Sequence, residues 1–134
     1  MRDIVYFQIK GPVGEHPENE VAGKVIKALE KQGIEVTPIK KWYDSIRFGF
    51  TYKNKPFILE VTPYFEAQPF ELSIMVIEQG LSKIIPWLST QYKVNLLQLI
   101  DSILYIDNYF SEIRWFRVDD LKRKKLDDFV SHPD

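Results

Sequence analysis

The chain has no cysteine, and only two of its 134 residues are histidine. The first absence excludes disulfide frameworks, thiolate zinc sites, iron–sulfur ligation and cysteine nucleophiles. The second confines any serine–histidine triad to His16 or His132, and no serine stands in a glycine-flanked nucleophile turn. An excess of one charge is also missing. Eighteen basic and nineteen acidic side chains leave a net charge of −1, so no global field attracts a polyanion. Long apolar runs are absent too. The most apolar stretch, Val94 to Phe110, is interrupted by Asn95, Gln98, Asp101 and Asp107, well short of the roughly 18–20 unbroken residues a bilayer span requires. Near the N-terminus the apolar residues meet Gln8 and Lys10 too soon to form the hydrophobic centre of a signal peptide. The expectation is a cytoplasmic protein.

What is present is the material of a core. Hydrophobic residues make up 45% of the chain and aromatic residues 14%, more than a solvated, unpacked chain carries. With no linker, repeat or low-complexity segment, residues 1–134 read as a single α+β domain.

The hydrophobic period changes along the chain. Asp3 to Lys10 is a β-branched and aromatic run closed by Gly11-Pro12, a strand pattern. Val21, Ala22, Val25, Ile26 and Leu29 then recur at three-and-four spacing, with acidic residues before them, lysines toward the end and Gly33 as the stop, which predicts an amphipathic helix. Ile34 to Tyr43 suggests an edge strand, interrupted at Pro38. From Ser45 the period is two: Ile46, Phe48, Phe50 and Tyr52, then Phe57, Leu59 and Val61, then Phe70, Leu72, Ile74 and Val76. Lys53-Asn54-Lys55-Pro56 and Pro63 to Pro69 are the turns. Arg47, Lys53, Glu60, Thr62, Glu71 and Ser73 are expected on the opposite face, facing solvent or a polar partner. Helical spacing returns around Pro86 and from Tyr92 to Asn108, and weakly from Asp119 to Val130. Glu112 to Val118 fits a strand or a helix end. The expected fold is an antiparallel meander of about four to five strands, packed on one face by an N-terminal helix and C-terminal helices.

Most candidate sites dissolve on inspection. Gly11-Pro12-Val13-Gly14 lies where a phosphate loop belongs, but Glu15, Glu18 and Glu20 line the same approach and no lysine or serine follows at the required spacing. His16 beside those glutamates has the ligand types for a cation, yet no second histidine lies one turn away, and carboxylates gather at helix starts for dipole reasons alone. Asp44 and Glu60 lack the lysine a nuclease sheet places two residues on, where Thr62 stands. The basic run Lys122 to Lys125 is neutralised by Asp119, Asp120, Asp127 and Asp128. No metal or cofactor is expected. The aromatic pairs at element ends, Trp42-Tyr43, Tyr64-Phe65 and Trp115-Phe116, leave more room for function, because exposed Trp, Tyr and Arg anchor protein interfaces.

The segments Trp42 to Phe50, Phe57 to Val61 and Phe70 to Ile74, in a small cysteine-free chain of this layout, resemble the immunity proteins of bacterial polymorphic toxins, including those of contact-dependent growth inhibition. The likeness is one of architecture over most of the chain and includes no diagnostic motif. It implies a non-enzymatic monomer that binds a cognate toxin stoichiometrically and occludes it. Trp42, Tyr43, Asp44, Glu60, Tyr64, Glu66 and Glu71, at the ends and outer face of the meander, are the expected partner-binding residues. Two alternatives have different signatures. A secretion chaperone is similar in size but is usually an acidic homodimer, and a small-ligand protein or enzyme needs a polar pocket between sheet and helices.

Overall fold

A computed structural model of the chain describes residues 2–79 and 90–117. The elements follow the order β1 (Arg2–Ile9), α1 (Pro17–Lys31), β2 (Lys40–Trp42), β3 (Ser45–Tyr52), β4 (Lys55–Tyr64), β5 (Glu71–Glu78), α2 (Thr90–Ile106) and β6 (Phe110–Arg117). All six strands join one antiparallel sheet in the order β2-β3-β4-β5-β1-β6. The expected helix around Pro86 and the expected tail helix lie outside the described residues. No described helix is long and apolar enough to cross a membrane.

The meander from β2 to β5 is built by local pairing. Lys53 and Asn54 both take positive φ, 50° and 64°, and close the β3–β4 hairpin as a two-residue loop between Tyr52 and Lys55. Such a loop matches the right-handed twist of the strands it joins. The expected strand over Ile34 to Tyr43 is cut to Lys40–Trp42, preceded by an isolated bridge from Val36 to Phe50. Pro38 has no N–H to donate, so the ladder cannot run through it. Before it, Thr37 exchanges backbone and side-chain hydrogen bonds with Gly49, where an added Cβ would lie 3.3 Å from Thr37 Oγ1.

β1 closes the sheet from a distance, pairing with β5 on one side and β6 on the other. Ambiguous in sequence, Glu112 to Val118 is strand as far as Arg117. Its period is broken by a bulge: Tyr6 faces Arg114 and Gln8 faces Ser111, with Glu112 at φ 54°. The extra residue puts both Phe110 and Trp115 into the core despite their odd spacing.

One apolar cluster unites the inner face with both helices. Val5, Phe7, Phe48, Leu59, Ile74 and Trp115 join Val21, Val25 and Leu29 of α1 and Leu96, Leu97, Ile100 and Leu104 of α2. Burying each such side chain is worth about 1.5–3 kcal/mol. Pro17 sets the first turn of α1, and Gly33 at φ 79° ends the segment. Inside the core, the Trp115 indole donates to Asp101 Oδ1 at 2.9 Å, joining β6 to α2.

The turn between α2 and β6 is fixed electrostatically. The Tyr109 backbone N–H donates to Asp107 Oδ1 at 2.9 Å, and Lys24 Nζ lies 3.3 Å from Asp107 Oδ2 and 4.6 Å from the Tyr109 ring centroid. The backbone donor, with Lys24, holds the Asp107 carboxyl below its usual range against the opposing effect of burial. Burial first, then the Glu20 carboxylate that accepts its hydroxyl, pushes the Tyr109 phenol from 10.0 up to about 12.

Two measurements check this account. Trp115→Phe leaves Asp101 without its indole donor and opens space in the core, so it should cost about 2–4 kcal/mol in urea unfolding; a loss under about 1 kcal/mol would contradict the contact. Because the folded state holds the Tyr109 proton more tightly, its contribution is complete below pH 10 and is lost as pH rises toward about 12. The stability difference between wild type and Tyr109→Phe should therefore fall across that window, and a constant difference would refute the shift.

Candidate functional site

The second face of the sheet, opposite the core cluster, is not uniformly polar. The register aligns Trp42, Ser45, Thr62, Ser73, Tyr6 and Arg114 in one cross-strand row and Lys40, Arg47, Glu60, Met75, Ile4 and Phe116 in the next. Beyond these, Ile58 and Ile77 pair. Arg47, Glu60, Thr62, Glu71 and Ser73 thus lie on the face expected of them, whereas Lys53 is in the hairpin turn.

Hydrogen bonds knit the first row together. Ser45 and Thr62 hydroxyls meet at 2.6 Å, and the Tyr64 and Ser73 hydroxyls at 3.0 Å. The Tyr6 ring sits 5.7 Å from that of Tyr64 and 5.6 Å from that of Phe116. These ties make the sheet a firm platform beneath the end where the turns gather.

At that end, a relay of contacts holds an exposed aromatic pair. Glu60, only 6% exposed, accepts a hydrogen bond from Arg47 Nε at 3.1 Å. The Arg47 guanidinium lies 4.2 Å from the centroid of the Trp42 ring, a cation–π contact. Trp42 in turn meets Tyr43 edge to face, with centroids 5.3 Å apart and planes at 87°. Trp42 is 46% exposed and Tyr43 84%. An aromatic pair standing in water but fixed from below has already lost much of the rotamer freedom that covering it would otherwise cost.

Tyr43 also has an unfavourable backbone. With Asp44 it forms the two-residue link between β2 and β3, where Trp42 pairs with Ser45, and its φ is 54°. Left-handed backbone costs a residue with a Cβ about 1–2 kcal/mol, and glycine is the usual occupant. A bulky aromatic kept there, mostly in solvent, is a residue whose presence folding does not explain.

Beside this pair lies an open cleft of about 520 Å³ lined by Glu15, His16, Glu18, Lys41, Asp44, Pro63, Tyr64, Phe65 and Glu66. Four carboxylates from three separate segments converge there against a single lysine. Phe65, 56% exposed, adds a third aromatic contact. Among the described residues, no group of three or more histidine, aspartate or glutamate side chains is arranged to hold a metal ion. The cleft therefore has acidic and aromatic character without metal geometry.

Of the residues singled out in the sequence, Trp42, Tyr43, Asp44, Tyr64 and Glu66 come together at this end. Glu71 lies across from Tyr64 on β5 and is ion-paired with Arg114. Glu60 stands four residues from Tyr64 along β4, about 13 Å away by strand geometry, and reaches the site only through Arg47. It acts as a positioning residue. Asp44 and Glu60 do not share a site, and Trp115 of the third aromatic pair is buried. Sequence reasoning missed Arg47 and Glu18 as members of this arrangement, and singled out Phe65 only as half of an aromatic pair, outside the expected partner-binding residues. Helix spacing explains Glu18 as a first-turn acid, and nothing local connects it to Asp44.

A second open cleft, of about 450 Å³, has the opposite character. Lys24, Lys27 and Lys31 of α1 border it, facing Leu99, Ile103 and Ile106 of α2. α1 is therefore acidic at its N-terminal end, beside Asp44 and Glu66, and basic along its later turns.

Comparison of the chain with protein-family models, with curated proteins and with solved structures returned no match. What can be said of its class is physical: a six-stranded antiparallel α+β sheet whose turn end presents aromatic rings among carboxylates.

Tyr43→Gly tests whether the turn is held in strain for a purpose other than folding. Relief of the left-handed backbone, less the added freedom of glycine in the unfolded chain, predicts a stability gain of about 0.5–1 kcal/mol. A loss of more than about 1 kcal/mol in urea unfolding would show that Tyr43 serves the fold instead.

Proposed function

We propose that this chain is an immunity-type protein, a non-enzymatic monomer that neutralises a cognate bacterial toxin in the cytoplasm by stoichiometric occlusion. The observation that carries this reading is the exposed pair Trp42-Tyr43, fixed through Arg47 and Glu60 and set beside an acidic cleft. Fixed, exposed aromatics are the side chains that dominate interface energetics, and surrounding charge governs encounter rate and partner choice.

The mechanism is binding alone. A toxin must be silenced in the cell that makes it, which demands a slow off-rate from well-packed anchors and a fast on-rate from complementary charge. Trp42, Tyr43 and Phe65 supply the anchors. Asp44, Glu66 and Glu15 supply negative charge for a basic toxin surface, such as a nuclease cleft that holds phosphates. Tyr64 and Glu71 extend the contact across the ends of the central strands β4 and β5, and Glu60 keeps Arg47 and Trp42 in place.

The test is co-expression with the toxin-like product of a neighbouring gene, followed by titration of the purified pair. Rescue of growth and a one-to-one complex are expected, and a toxin that stays active at equimolar ratio would defeat the reading. Within the complex, Trp42→Ala and Tyr43→Ala should each cost about 2 kcal/mol or more of affinity, mostly through off-rate. Affinity unchanged across alanine variants of the seven partner-binding residues named from sequence would mean that another surface binds.

A further inference from the structure

Resting on that reading, we infer that the acidic cleft is a receptor for one arginine side chain presented by the partner, with Glu18 as the carboxylate that receives it. Glu18 lines the cleft from the first turn of α1, yet it is only 3% exposed. Its Oε1 is 3.2 Å from His16 Nδ1, and its Oε2 is buried with no hydrogen-bond partner. A buried carboxylate oxygen without a donor costs free energy of the order of 1–3 kcal/mol or more, since the water it lost has not been replaced. Glu18 is a wall residue of the cleft, so a donor that moves His16 aside gains the oxygen buried behind it.

The surroundings specify which donor. Glu15, Asp44 and Glu66, set against the one lysine Lys41, leave the cleft negative, so the ligand is a cation. The wall residues Tyr64 and Phe65 are aromatic, and a guanidinium stacks on aromatic rings while its fork of N–H groups pairs with both oxygens of one carboxylate. A lysine ammonium, compact and strongly hydrated, uses neither the plane nor the second oxygen. His16 now occupies Oε1, but its side chain is 63% exposed and belongs to the loop that precedes α1. It is the group an entering guanidinium displaces, giving Oε2 its missing donor at the same time.

The arginine is borne by a protein because the cleft does not end at its own walls. Asp44, a lining residue, directly follows Trp42-Tyr43, and Phe65 is both lining and exposed. A free cation has no use for that adjoining aromatic surface, whereas a protein side chain arrives with the surface that covers it.

The experiment is an NMR titration of the full chain with N-acetylarginine amide, and with the neutral isostere N-acetylcitrulline amide. The arginine probe should shift the amides of residues 15–18, 44 and 64–66, and the citrulline probe should leave them unmoved. Glu18→Gln, which keeps the side-chain volume, should weaken the arginine probe by about tenfold or more. The double variant Asp44→Asn/Glu66→Gln, at exposed positions, should weaken it less and more so at low salt. Equal shifts with both probes, or arginine binding unchanged in Glu18→Gln and in the double variant, would overturn the receptor. If Glu18→Gln fails to fold, the double variant decides: undiminished binding there overturns the receptor. The same Glu18→Gln chain in the toxin titration separates the two readings. Toxin affinity unchanged in that variant overturns the receptor and leaves the immunity reading intact, whereas Glu18-dependent arginine binding without neutralisation of any toxin supports the receptor and removes the immunity reading.

Discussion

The fold depends on β1 pairing on both of its edges. Val5 and Phe7 are fully buried, and their strand supplies the backbone pairing that joins the meander ending in β5 to β6, which Trp115 and Asp101 tie to α2. The hairpins between β2 and β5 can assemble from neighbouring residues, but the join to β6 requires the chain's beginning to meet a segment about a hundred residues later. That join gives α2 its place, because α2 packs on β6, whereas α1 packs on β3 and β4 of the meander and meets α2 from there. The position of α1 sets that of the loop carrying Glu15 and His16.

Once the platform is fixed, the turn end acquires properties that neither its turns nor its strands have alone. The Glu60–Arg47–Trp42–Tyr43 relay converts burial inside the sheet into rigidity outside it. Arg47 is well suited to this because its planar guanidinium can hydrogen-bond at its edge and stack on its face, and a lysine could do only one of these. A second consequence is that a residue within the sheet, Glu60, matters to a surface it does not reach. Contacts of this kind allow an interface to be weakened by changes that leave every exposed residue in place.

Legibility in the sequence followed the range of the interactions. The meander could be read because alternation of Ile46, Phe48 and Phe50, or of Leu72, Ile74 and Val76, is dictated by the pleat itself. α1 could be read because its apolar spacing, acidic start and glycine stop are all local. β6 was ambiguous because the bulge at Glu112 breaks the period by which strands are recognised, and the sheet order was invisible because no local pattern says which edge β1 will join. The same division applies to the site. Asp44, Tyr64 and Glu66 were visible as polar or aromatic residues in turns, but their meeting with Glu18 is made by tertiary structure. The role of Arg47 was hidden for the same reason, since its partners Glu60 and Trp42 come from two different neighbouring strands.

The near-zero net charge also takes on a different meaning when its distribution is considered. Glu15 and Glu18 stand at one end of α1 with Asp44 and Glu66, while Lys24, Lys27 and Lys31 follow toward the other, about 20 Å along the helix from Glu18 to Lys31. Along α1 the charge is thus divided between two ends of opposite sign. An approaching charged body exerts a torque on such a pair of ends, so its field biases the facing direction of a collision. Added salt screens that torque, and the acidic end then loses its advantage over the lysine end.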